Sequence, residues 1–315
     1  MDYRVVVDFS PAYEMVASFA ALTEKQLSRP ATDLGQAWRD RVTGILRPDF
    51  AAELPSQRDL CVHHIVFPFI YECPGERGCW GFLRWFNTLA PAELRSVLAR
   101  YGVERFERDE QLLNVRDAYV RLLREWNNQY FRRIKPDILN ALAAEAAYRR
   151  TILETQGPEM AVETATGGIL LHPDALYDLV VLVPQYHFKP INFMSWQGST
   201  AFIMYPCETT AVATGQPSPS LLRIGRALGD SVRLQMLRRM SRGLCTLDDL
   251  ESDLGLTRSV VHHHIVILRS AGLVRIYTGA SVPDQFGARL EALDTFAGKL
   301  RDFLEQDEKA DARSG

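Results

Sequence analysis

The chain has 315 residues, of which 47% are hydrophobic, 24% charged and 10% aromatic, with a net charge of −3. These ordinary globular values exclude a largely disordered protein, and the length favours two domains over one. No apolar stretch reaches eighteen residues without a charged residue, as a membrane-spanning helix would need. The first residues lack the basic region and following apolar run of a signal peptide. Five cysteines, an odd number without a dense framework, are typical of reduced thiols. We therefore expect a soluble, cytoplasmic protein with no membrane partner.

The first two thirds of the chain carry the patterns of an α+β domain. The segments DYRVVVDFS, GGILLH and Leu179 to Tyr205 are rich in β-branched and aromatic residues, which predicts a few strands. Residues 11–155 carry apolar side chains at helical spacing, for example Leu94, Val97 and Leu98. The predicted fold class is thus α+β and mostly helical, with a large N-terminal α+β domain over residues 1–210.

A change of composition at residues 208–220 predicts a linker, because small polar residues, Gly and Pro replace the apolar run before it. Residues 1–216 carry 22 Lys and Arg against 26 Asp and Glu, whereas residues 217–305 carry 12 against 10. The predicted C-terminal domain, residues 217–305, therefore has a net charge of +2. That charge is compatible with DNA binding but too small to establish it.

The C-terminal domain begins with a series of short helices. A Gly-Asp pair separates the first two, and the Asp suits the N-cap of the second. In TLDDLESDLG, Thr246 is a suitable N-cap, Asp249 lies three residues on, and Gly255 ends the helix. Only two residues separate Gly255 from the next helix, RSVVHHHIVILRSAG, so these helices must meet at a sharp angle, as in helix-turn-helix units.

The last of these helices has two different faces. One set of residues recurs at helical spacing and would face a small core: Val261, His264, Ile265 and Leu268. The opposite set would face outwards, with Arg258 at the leading end: Ser259, His262, His263 and Val266. Short polar, imidazole and guanidinium groups suit the base edges of a major groove and the phosphates beside it. The strand LVRIYTG follows, and a return strand near Ala288 to Leu293 would complete a wing.

The segment from Leu228 to Val274 resembles the winged helix-turn-helix domain of the ArsR family of bacterial transcriptional regulators. LGDSVRLQML is similar to the opening helix of that domain, and LGLTRSVVHHHIVILRSAGLV to its recognition helix and exit. The resemblance implies sequence-specific DNA binding through the helix that starts at Thr257. It places five residues at the DNA, namely Thr257, Arg258, Ser259, His262 and His263, and puts Arg275 and Tyr277 at the wing, where backbone contacts are expected.

The ArsR family often senses metals, but this sequence departs from the family's metal sites. Thr246 and Asp248 stand where one family site has a Cys-x-Cys pair, and no histidine follows His264 for the other. Soft ions need thiolates, and zinc needs three or four well-placed donors. Adjacent histidines such as His262 and His263 point about 100° apart on a helix and cannot converge on one ion. We therefore predict no metal and no cofactor.

Two groups in the N-terminal domain admit a functional interpretation. Ligand-type side chains occur without a recognised metal spacing at Cys61, His63, His64, Cys73 and Cys79. A set of aromatic residues is suited to lining a pocket for a small apolar effector, although core packing is the simpler interpretation: Trp80, Phe82, Trp85, Phe86, Trp126, Tyr130 and Phe131.

The C-terminal stretch RLEALDTFAGKLRDFLEQ carries a seam for another helix, formed by Leu293, Phe296, Leu300 and Phe303 at spacings of three and four. We interpret it as a homodimer contact, with packing on the chain's own N-terminal domain as the alternative. A twofold axis would place two recognition helices in successive major grooves.

The sequence thus predicts a homodimeric regulator of transcription, a repressor, that binds double-stranded DNA and is not an enzyme. The alternative is an enzyme or ligand sensor with its site in residues 1–210, in which the winged helix serves regulation or protein contact. Against an enzyme, no linked nucleophile, base and oxyanion donor is evident in the sequence.

Overall fold

The computed structural model describes residues 3–23, 32–57, 65–104, 106–172, 177–208, 215–279 and 283–305. The chain divides into two compact units. The first comprises Met1–Pro158 and Tyr177–Thr209, and the second comprises Glu159–Leu176 and Thr210–Gly315. This division differs from the predicted N-terminal domain of residues 1–210, because a segment from the middle of the chain groups with the C-terminal unit.

The helices of the described residues come mostly in two runs, which are separated by a group of strands. The strands are β1 (Arg4–Val7), β2 (Ile169–Leu171), β3 (Leu179–Gln185), β4 (Phe193–Gln197), β5 (Thr200–Pro206), β6 (Val274–Thr278) and β7 (Gln285–Ala288). The helices are α1 (Pro11–Thr23), α2 (Gly35–Ile45), α3 (Pro48–Glu53), α4 (Val66–Glu72), α5 (Cys79–Thr88), α6 (Pro91–Arg100), α7 (Asp109–Gln129), α8 (Pro136–Gln156), α9 (Pro158–Thr166), α10 (Pro219–Leu228), α11 (Ser231–Met240), α12 (Leu247–Leu254), α13 (Arg258–Ser270) and α14 (Glu291–Leu304). None of the described helices has both the length and the apolar character that a membrane crossing requires.

The first unit is built on a sheet with the strand order β1-β3-β5-β4. β3 runs parallel to β1 and to β5, whereas β4 is antiparallel to β5. All residues of β3 from Val180 to Gln185 are buried, which is typical of a parallel strand covered on both faces. Val181 and Val183 belong to a large core shared with side chains of α1, α5 and α7, and α8 contacts β1 and β3.

The second unit contains the predicted series of short helices, and local hydrogen bonds set their limits. The carboxylate of Asp230 accepts from the amide of Arg233 at 3.0 Å and so caps α11. The core of this unit contains side chains from all five helices α10–α14 and from the strands β6 and β7. Met236, Leu250 and Val261 are among them. The break between α10 and α11 is confirmed, and so is the short connection between α12 and α13.

A three-stranded sheet in the second unit has the order β2-β6-β7. β6 and β7 are antiparallel, as predicted for the strand pair after α13, but the predicted return strand was placed too late. The return strand ends at Ala288, and the residues from Glu291 form α14 because Ala292, Leu293 and Phe296 pack at helical spacing against the core. The third strand, β2, pairs in parallel with β6 and accounts for the grouping of Glu159–Leu176 with this unit.

Candidate nucleic-acid interface

The turn between α12 and α13 is fixed by local chemistry. At the start of α12, the amide of Asp249 donates to the hydroxyl of Thr246 at 3.2 Å, and the amide of Thr246 donates to the carboxylate of Asp249 at 2.8 Å. The amide of Thr246 and its hydroxyl, 2.9 Å from the carboxylate, both donate to Asp249 and lower its pKa because they favour its charged form. At the other end Gly255 has φ +63°, a conformation that costs glycine little. The chain therefore leaves α12 at Gly255 and starts α13 at Arg258.

The first turns of α13 present the predicted DNA-facing residues to solvent. Thr257 is the N-cap with an extended backbone, and its side chain makes no capping bond, so the hydroxyl is not used by the helix. The exposed residues of this surface are Thr257, Arg258, Ser259, His262 and His263, with the side chain of Val260 among them. The opposite side is buried through Val261, Ile265 and Leu268. The structure therefore leaves all five predicted residues exposed at the start of α13, while their contact with DNA stays a prediction.

Arg258 is held by carboxylates in the free protein. Its Nη1 contacts Oδ1 of Asp248 and lies 3.4 Å from Oε1 of Glu251. The Arg258 side chain is 63% exposed, and exposed ion pairs of this kind contribute only about 0–1 kcal/mol. The guanidinium can therefore exchange these partners for a phosphate or a base edge at little cost.

His264, which the sequence pattern placed on the core-facing side of α13, is half-buried. Its Nδ1 is 3.5 Å from Nη1 of Arg233. Burial lowers the pKa of His264 from its ordinary value, Asp230 partly offsets this effect, and Arg233 and His263 add to it. The ring therefore favours its neutral form and serves the packing of α13 rather than its outer surface.

The two predicted wing residues differ from the helix residues because both are only partly exposed. The Nε of Arg275 donates to Oε1 of Glu163 at 2.6 Å, and its Nη2 also contacts Glu291. Tyr277 lies in β6 opposite Leu170 of β2 and Gln285 of β7. The structure therefore leaves Arg275 less available than the sequence indicated, because two carboxylates occupy its guanidinium.

Sequence reasoning missed the contribution of the segment before residue 172. Glu163 precedes Arg275 by 112 positions, so no local pattern links them. The residue that allows the two segments to approach is Gly168, whose backbone has φ +126°. A Cβ added at Gly168 would lie 2.6 Å from the carbonyl oxygen of Val274, so only glycine allows this close approach.

Metal-ligand chemistry is absent from the part of the chain that the structure describes, where no group of three or more His, Cys, Asp and Glu side chains is placed to hold an ion. Cys245 is buried, its thiol contacts the carbonyl oxygen of Phe286 at 3.6 Å, and burial raises its pKa. Cys73 is buried and Cys79 is partly buried. The candidate ligands Cys61, His63 and His64 lie outside the described residues.

The first unit contains converging ionisable groups, but they bind one another. Glu14 and His187 are both fully enclosed, and the carboxylate of Glu14 accepts from the amides of Tyr186 at 3.0 Å and His187 at 3.1 Å. Nε2 of His187 lies 2.7 Å from the hydroxyl of Tyr130, which accepts from Nε1 of Trp38 at 2.9 Å. A second group joins the carboxylate of Asp8 to the guanidinium of Arg77 through two bonds of 2.7 Å. Each group satisfies its own members, as in a structural network.

Most of the aromatic residues considered for an effector pocket form the first core. Phe82, Phe86, Trp126 and Phe131 are buried there, and the first two rings stack at 5.4 Å between centroids. Trp80 is different because 43% of it is exposed. Packing therefore accounts for the buried members of this set.

Comparison with known proteins finds similarity for part of the second unit. Residues 230–275 match the model of the bacterial regulatory protein arsR family, which confirms the predicted resemblance. The HTH-type transcriptional regulator CmtR of Mycobacterium tuberculosis is 44% identical over 64 residues, as is its counterpart of the same name in Mycobacterium bovis. The match covers 20% of this chain and 54% of each relative, so the chain spans about half the length of these curated relatives. Part of the C-terminal unit is thus similar to the helix-turn-helix of the arsR family.

Proposed function

We propose that this protein is a DNA-binding regulator of transcription. The observation that carries the proposal is the exposed surface of α13 directly after the turn at Gly255, inside the segment that matches the arsR family. A helix in this position enters a major groove with its N-terminal residues against the bases. Arg258, His262 and His263 supply donors for guanine and for phosphates, and β6 and β7 serve as the wing.

The proposed active form is a homodimer that acts as a repressor in the cytoplasm. Of the predicted seam, Leu293 and Phe296 pack against the core of the second unit, Leu300 is 37% exposed and Phe303 is partly buried. Leu304, beside the seam, is 67% exposed. The exposed end of α14 therefore offers apolar surface to a second copy. Two copies would double the contacts of a domain that has a charge balance of only +2. A dimer seated on a promoter would repress by excluding the polymerase.

For the first unit we propose a role in sensing or in partner binding, without catalysis. The self-satisfied groups around Glu14 and Asp8 support this proposal, because a catalytic acid or base must reach a substrate. A small apolar effector fits this role. The competing proposal, an enzyme with regulatory use of the winged helix, predicts turnover that depends on these groups.

Selection of genomic DNA fragments with the purified full-length protein, followed by a footprint, tests the function. We expect a twofold-symmetric protected site with half-sites about 10 base pairs apart or a multiple of that spacing. Affinity for this site must fall steeply with salt, because phosphate contacts release counterions. Failure to enrich any site, together with salt-independent binding, would contradict the proposal and favour a protein-interaction module.

A further inference from the structure

The segment Pro158–Leu171 adds a helix and a strand to the proposed wing. β2 lies parallel to β6 with Ile169 opposite Ile276. The amide of Ile276 donates to the carbonyl of Gly168 at 2.8 Å, and the amide of His172 donates to the carbonyl of Thr278 at 2.8 Å. The hydroxyl of Thr166, at the end of α9, accepts from the amide of Ile169 at 2.9 Å and sets the turn into β2. β6 is therefore paired on both edges, by β2 and β7.

A group of four charges joins this segment to the wing. The side chain of Glu163 on α9 is only 13% exposed, and its Oε1 contacts Nε of Arg275 at 2.6 Å and lies 3.9 Å from Nε of Arg289. Glu291 also contacts Arg275. The two carboxylates neutralise the two guanidinium groups, so the wing surface presents no net positive charge at this point.

We propose that Pro158–Leu171 is an intramolecular latch that withholds Arg275 from DNA phosphates until the segment leaves β6. This inference rests on the proposed DNA-binding function. The Glu163 carboxylate accepts a hydrogen bond from the Arg275 guanidinium in place of a phosphate oxygen, because both groups are anionic acceptors. The chain enters the segment from α8 and leaves it towards β3, and both belong to the first unit. A rearrangement of that unit can therefore move the segment, and with it the wing, through the chain connections at both ends of the segment.

A latch and a simple structural support predict opposite effects on DNA binding. Release of a latch adds a phosphate contact, whereas loss of a support weakens the wing and the affinity. The salt dependence separates them, because each added contact steepens the slope of log K against log salt by about 0.9.

The first experiment compares Glu163→Gln with the wild type on the selected operator between 50 and roughly 300 mM salt. The expected result is a slope steeper by about 0.9 and affinity increased roughly fivefold to tenfold near 0.1 M salt. Glu159→Gln is the matched control, because it removes the same charge from an exposed position of the same helix. Arg275→Ala should abolish the gain when combined with Glu163→Gln and should hardly change the wild-type affinity. An unchanged slope or a weaker affinity in Glu163→Gln overturns the latch.

A second measurement follows amide hydrogen exchange in the operator complexes of the wild type and of Glu163→Gln. The latch predicts that the Ile276 amide stays protected in the wild-type complex, where Arg275 is withheld, and loses protection in the Glu163→Gln complex, because its acceptor is Gly168 on the segment. The Phe286 amide is the control, since it donates to Cys245 and should stay protected in both complexes. Equal protection at Ile276 in the two complexes overturns the latch even if wild-type binding is strong. Failure of the proposed function would instead appear as no salt-dependent binding by the wild type.

Discussion

Glu14 and His187, 173 positions apart, form a buried pair in which one carboxylate oxygen accepts from the backbone amide of the histidine and also contacts its ring Nδ1. The contact ties the first turn of α1 to the end of β3. It belongs to the folding of the first unit, since both side chains are 1% exposed.

Glu14→Gln is expected to destabilise the first unit. An amide offers one acceptor oxygen in place of two, which leaves at least one buried N–H unsatisfied at a cost of about 1–3 kcal/mol. The measurement is denaturant unfolding of the full chain. Glu154→Gln, at an exposed position of α8, should leave the free energy of unfolding within about 0.5 kcal/mol of the wild type. Equal stability of the two variants would argue against the structural role of the pair.

Removing either outward side chain from α13 should weaken operator binding. Arg258→Ala and His262→Ala are each expected to cost about 1–3 kcal/mol in binding free energy, the usual range for a direct base contact. Both residues are exposed, so thermal unfolding should hardly change. Arg242→Ala removes an exposed positive charge outside α13 and serves as the control for charge alone. An affinity for the mapped operator as high as that of the wild type would contradict the assignment of this helix.

The lowered pKa of His264 predicts a loss of stability in mild acid. The folded protein binds the proton less tightly than the unfolded chain, whose histidine titrates near about 6.5. The contribution of the neutral ring is therefore complete above that pH and is lost as the pH falls through the lower folded value. Nuclear magnetic resonance titration should place the pKa of His264 below about 6.5. His264→Gln should flatten the pH dependence of unfolding, and a value above 6.5 would refute the assignment.

The exposed end of α14 should determine the oligomeric state. Leu300→Glu with Leu304→Glu is expected to weaken the dimer at least tenfold, because about 1.5–3 kcal/mol of apolar burial is lost for each fully buried leucine. Sedimentation across a concentration series measures this change. Leu290→Glu, 53% exposed before the first turn of the same helix, is the control. A wild-type chain that sediments as a monomer at every concentration would exclude this use of the helix.

The helix-turn-helix could be predicted in detail because its determinants are local. Thr246 with Asp249, and Gly255 after them, set helix ends through bonds that span three or four residues. The alternation of Val261 and Ile265 with His262 then determines which side of α13 is buried. The return strand was misplaced by a few residues, because an amphipathic helix and a short strand share apolar residues near Leu293.

Length, composition, caps and periodicity were enough to establish a helical first region, a separate helix-turn-helix and the exposed surface of α13. Tertiary structure decided which distant groups meet: Glu163 with Arg275, Gly168 with Val274, and Glu14 with the end of β3. The physical reason is the separation along the chain of the residues that interact. Caps and helix faces depend on neighbours within one or two turns, whereas strand pairing and buried ion pairs depend on the closure of long loops by the whole packed chain.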